Sequence, residues 1–187
     1  EYNAMKNGMT FKDNSGLTLI ELMIVLVLSL LLMAAVYLAY QIQHRMSNEQ
    51  HQIMGMQQDL RAVIDIMEKD IRNAGCDPLD KKIFGIGALN ASSLTISFDL
   101  NSNGVLDAAS EQVLYTLAGN SLQRNGQELV NNITFLGFTY LDNDNLPTPD
   151  ISDVRSIVVQ IGIQSTNQDF NRSLTRRIKL RNMGIRE

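Results

Sequence analysis

Gly16-Leu17-Thr18-Leu19-Ile20-Glu21 opens an apolar run in which Leu22 to Ala39 supplies 18 consecutive uncharged residues. Counted from Leu17, the run makes about 36 Å of helix at ~1.5 Å per residue, enough to cross a bilayer. Glu21 stands inside it, where a charge costs roughly 2.5–3.5 kcal/mol on insertion scales, so the carboxylate needs a partner. Near the interface it would snorkel to headgroups. A cut after Gly16 would instead create an α-amino group on Leu17, and Glu21 of a neighbouring subunit could pair with that amine. Cleavage after the apolar core is disfavoured, because Tyr37-Leu38-Ala39-Tyr40-Gln41 is a poor small-residue site, so the segment is expected to be retained. The leader, Glu1 to Gly16, sets Lys6 and Lys12 against Glu1 and Asp13, a weak cue for a cytoplasmic start, and Met5 or Met9 is the expected initiator.

Composition bounds the rest. A chain of 187 residues with 44% hydrophobic content supports one compact region beyond the membrane helix, and a net charge of −4 gives no general pull toward nucleic acid. The single cysteine, Cys76, rules out an intramolecular disulfide and is expected as a small buried apolar side chain. Past the membrane segment, Ile42, Met46, Ile53, Met56, Leu60, Val63, Met67 and Ile71 recur at helical spacing. Gly55 is the only glycine between Leu17 and Ala74 and no proline intervenes, which predicts one helix of about 58 residues ending near Gly75.

Strand patterns follow the helix. Leu94 to Asp99, Val113 to Leu117 and Ser121 to Arg124 read as a meander, with further strands at Ile133 to Leu141, Ser156 to Ile163 and Leu174 to Arg181. A helical run followed by strands predicts an α+β fold with an antiparallel sheet laid on the long helix.

Several polar constellations invite chemistry. Between Asp99 and Asp107, oxygen donors fall at positions one (Asp99), three (Asn101), five (Asn103) and nine (Asp107), with Gly104 at six and the Val105 carbonyl at seven. Position twelve is Ser110, and the nearest carboxylate, Glu111, comes one place late. The loop is therefore a possible weak calcium site or a plain polar turn. Asp142-Asn143-Asp144-Asn145 reads as a turn. His44 and His51 lie seven apart, about 10.5 Å along a helix, so one metal cannot bridge them. No nucleophile, base and orienting group can be assembled by spacing, so no catalytic residues are assigned and the chain is not expected to be an enzyme. The C-terminal cations Arg172, Arg176, Arg177, Lys179, Arg181 and Arg186 fit the solvated face of an edge strand better than a DNA-binding strand, since no aromatic residue interleaves with them.

The segment GLTLIELMIVLVL resembles the cleavage and assembly motif of type IV prepilins and type II secretion pseudopilins. The resemblance implies a pilin-like α+β fold, and a prepilin peptidase that cuts between Gly16 and Leu17 and methylates the new terminus, with Glu21 as the assembly carboxylate. Many members carry Phe where this chain has Leu17. Asp59 to Pro78 and the segment DVRSIVVQIGIQS are similar to PilW-like minor pilins and J-type pseudopilins, where oxygen-rich loops like that at Asp99 recur; with the leader motif they cover about half the chain. The implied organisation is a leader at 1–16, a membrane and filament-core helix at 17–40, its amphipathic continuation at 41–75, and a periplasmic β-rich region at 76–187. The implied partners are prepilin peptidase, other minor and major pilins and an inner-membrane assembly platform. Calcium is the one cofactor considered. Two alternatives remain open here: a pseudopilin of a secretion system, and a signal-anchored periplasmic domain that binds calcium or DNA.

Overall fold

The computed structural model describes residues 18–165 and 170–183. Gly16, Leu17 and Arg186 therefore lie outside the described residues. The chain divides into two compact units, residues 1–48 and 49–187, and helix α1 (Leu19–Asn73, 55 residues) contributes to both.

In the first unit α1 is long and apolar enough to span a membrane, and none of that apolar window is buried against the protein itself. Every large hydrophobic side chain from Leu19 to Met46 is exposed. Such a surface needs lipid or neighbouring helices around it, because none of the described residues covers it.

In the second unit α1 buries Met56, Leu60, Val63, Ile64, Met67 and Ile71, with Ile53 partly covered. The predicted stripe is correct from Ile53 onward, while Ile42 and Met46 are exposed. The helix stops at Gly75, whose φ of 74° suits a left-handed C′ residue and whose N–H donates to Ser97 O at 3.0 Å.

Two antiparallel sheets face this stripe rather than the single sheet expected. The first is a meander of β1 (Ile86–Leu89), β2 (Ser93–Ser97), β3 (Gln112–Ala118), β4 (Ser121–Arg124) and β5 (Gln127–Val130), in that spatial order. The second is β6 (Ile133–Leu141), β7 (Ser156–Gln164) and β8 (Asn171–Lys179). A short 3-10 turn, Ile151–Asp153, precedes β7 and is capped by the Asp150 side chain, which accepts from Ser152 N. Leu94, Ile96, Val113, Tyr115 and Leu122 from the first sheet, and Ile133, Ile157, Val159, Ile161 and Ile178 from the second, meet α1 in one core. β8 starts three residues before its expected position because Asn171-Arg172-Ser173 is polar, and only its pairing with Gln164, Ile163 and Gly162 defines it as strand.

Candidate functional site

The site begins at the head of α1. Thr18 is extended into the helix as its cap: its Oγ1 accepts from Glu21 N at 3.3 Å and its O accepts from Leu22 N at 3.2 Å. Glu21 returns the contact, its Oε2 accepting from Thr18 N and from Thr18 Oγ1, both at 2.9 Å. This is a reciprocal capping box, T-x-x-E, at the opening of an apolar helix. It satisfies two helix-end groups and places a carboxylate at the positive end of the helix dipole. Thr18 and Glu21 both lie within the sequence motif, so the cap signal was present in the sequence beside the charge argument. Only one oxygen of Glu21 is used by the box.

The second unit is anchored to its own helix by two charged contacts. Asp70, buried on α1, accepts from Tyr115 Oη at 2.6 Å and from Arg124 Nε at 2.8 Å. Burial, reinforced by the bond to Asp70, pushes the Tyr115 phenol far above its ordinary value. The same carboxylate raises the Arg124 guanidinium. Glu68 bonds Arg72 one turn on and Arg176 of β8 at 3.2 Å, so it ties the second sheet to the helix.

The Asp99 to Glu111 loop closes on itself. Asp99 accepts from Asn103 N at 3.2 Å and Gly104 N at 2.9 Å. Asn101 and Asn103 each accept the amide two residues on, at 3.0 and 2.7 Å. Fully buried Glu111 accepts from Leu100 N (3.0 Å), Asn101 N (3.3 Å) and Asp107 N (3.0 Å). Asp107 turns to Ala109 N and Ser110 Oγ, both at 3.0 Å. The expected set Asp99, Asn101, Asn103, Val105, Asp107 and Glu111 thus lies on one loop, with its carboxylates engaged by backbone amides. Among the described residues no group of three His, Cys, Asp or Glu side chains is placed to hold a metal.

The remaining expectations resolve simply. Asp142 to Asn145 forms a turn in which Asp142 Oδ1 accepts from Asp144 N and Leu146 N, both at 2.9 Å. His44 is exposed, 3.2 Å from Asn48 Nδ2, and His51 is exposed as well. Cys76 corrects the expectation of a fully buried thiol: it is half-buried, since it leaves the helix at Gly75 and enters a surface loop.

Comparison with known families accounts for both units. Residues 11–37 match the prokaryotic N-terminal methylation motif. Residues 49–180 match the family described as prepilin peptidase-dependent protein B. Among curated proteins, none matches the chain. The leader motif, the uncovered apolar helix and a family match across most of the second unit agree: this chain belongs to the prepilin peptidase-dependent protein B family, a type IV pilin-like group of structural rather than catalytic proteins.

Proposed function

We propose that this chain is a PilW-like minor pilin. A prepilin peptidase cuts between Gly16 and Leu17 and methylates the new amine. The protein then waits in the inner membrane with its β-rich unit in the periplasm, and an assembly platform draws it into a type IV pilus, where it primes or caps growth beside other minor and major pilins. The observation that supports this reading is the capping box: it holds Glu21 on Thr18, four positions along the chain from Leu17, at the head of an apolar helix that no described residue covers. In a low-dielectric filament core, an unpaired Glu21 would leave a desolvation cost of several kcal/mol uncompensated, so only the subunit register that pairs it is stable.

The test is recovery of the tagged chain in filaments sheared from its own cells. Wild-type protein should appear there, and Gly16→Ala should remain in the membrane. Recovery in a secretion pseudopilus alone would reassign the chain to the J-type subunits.

We further propose a weak calcium site at the Asp99 loop. Asp99 accepts two amides and Glu111 three, out of roughly four lone-pair positions on each carboxylate, so oxygen capacity is left for a cation. Any affinity should fall in the weak range of about 10⁻⁴ to 10⁻³ M. A melting temperature raised by millimolar calcium and not by magnesium, and lost in Asp99→Asn, is expected. No shift removes the ion from the account.

A further inference from the structure

The second sheet has an outer face, turned away from α1, whose residues the strand register aligns in rows. Ser156 pairs with Lys179, Val158 with Arg177, Gln160 with Thr175 and Gly162 with Ser173. On the other side of β7, Thr139 pairs with Val158, Gly137 with Gln160 and Phe135 with Gly162. The rows carry no acid between Phe135 and Arg177.

Phe135 is 52% exposed although it is the largest side chain on this face. Its ring lies over Gly137: a Cβ built there would stand 2.6 Å from Phe135 Cζ and 3.0 Å from Cε1. A glycine in mid-strand weakens a sheet and marks a close approach. Here the close approach is by the tip of the Phe135 ring, in a side chain that stays half exposed.

At the other end of the same face is a groove of about 270 Å³, lined by Arg155, Arg177 and Lys179 and by the polar residues Asn143, Asn145 and Ser156, with Asp142 as its one acid. Arg177 is held by Asn145 Oδ1 at 2.7 Å, and Arg155 by the carbonyls of Ser152 (2.6 Å) and Val154 (3.1 Å). Asp142 Oδ1 accepts from two amides of its own turn. From Ser156 to Gly162 the strand covers about 20 Å at ~3.3 Å per residue. Clustered cations at one end and an open ring at the other fit a polymer that carries both repeated anions and repeated planar groups.

We propose that this face binds single-stranded nucleic acid, with phosphates on Arg155, Arg177 and Lys179 and an unpaired base stacked on Phe135. A duplex keeps its bases stacked on one another and leaves Phe135 unused. A sulfated polysaccharide offers the anions without the planar bases.

The experiment is fluorescence anisotropy of the full chain in detergent micelles with a labelled thymidine strand of roughly 20 nucleotides at about 50 mM salt. Binding should fall with salt at a log–log slope near −2, from ~0.7 per phosphate contact and three cations. Phe135→Leu, checked for an unchanged melt, should weaken binding roughly 5- to 100-fold and leave the slope in place. Arg177→Gln should lower the slope by about 0.7. A ring that serves only to cover Gly137 and stiffen the sheet predicts instead that Phe135→Leu changes melting and leaves binding untouched. Absent binding, tighter binding of duplex, equal displacement by heparin, or indifference to Phe135→Leu each overturns the proposal.

Discussion

The proposed function gives Glu21 an assembly role beside its observed capping role, and substitution can distinguish the two. Glutamine also closes a capping box, so Glu21→Gln keeps the helix head while removing the charge. The account expects Glu21→Gln protein to be processed normally, as read by intact mass, but to fall at least tenfold in sheared filaments. Asp70 ties the helix to the first sheet of the second unit. Asp70→Ala leaves a buried phenol and a part-buried guanidinium without their acceptor and should cost about 2–4 kcal/mol, measured by chemical denaturation. Tyr115 gives a pH signature. Its folded pKa is raised, so the stability it contributes is present below the unfolded value near 10 and is lost as pH rises beyond it. Tyr140, also raised by burial, adds in the same direction. Unfolding should set in above about pH 10, and Tyr115→Phe should flatten that limb at a cost of about 1–2 kcal/mol at neutral pH. None of the Asp70 contacts was legible in the sequence, since Asp70, Tyr115 and Arg124 are joined only by packing.

At the scale of elements, α1 was almost wholly legible, because an apolar run and a helical stripe are local signals. Its end at Gly75 followed from the same reading. The sheets were legible only in part. β2, β3, β6 and β7 are long enough to show an apolar pattern and β4 follows a Gly-Asn turn, while β1 and β5 are four residues each and too short to show a period. β5 did have a local cue: Asn125-Gly126, with φ of 52° and 77°, is the tight hairpin turn that joins it to β4. The Asp99 loop gives Glu111 a structural use that spacing alone does not reveal. Glu111 falls one place late for the calcium frame, and the structure uses it to hold three amides. Glu111→Ala should therefore destabilise the second unit by about 3 kcal/mol in calcium-free buffer, in a thermal or urea melt. That Phe135 and the C-terminal cations share a sheet face was not legible either, because the ring comes from β6 and only strand pairing brings it there.

For the whole molecule, the proposed function rests on the order of its parts: an apolar helix that no described residue covers, followed by a β-rich unit that packs on its own part of the same helix. The family match covers residues 49–180 and the methylation motif residues 11–37, and the motif was the part most legible in the sequence because its signal is local. Sheet division and sheet faces were least legible, because they depend on pairing across the chain. The central claim is processing at Gly16, and the most direct measurement is the intact mass and N-terminal sequence of the full chain made with and without a prepilin peptidase. The account predicts a peptidase-dependent product beginning at N-methylated Leu17 and lost in Gly16→Ala. A chain that keeps residues 1–16 with active peptidase present would leave Glu21 without its amine and contradict the assembly mechanism.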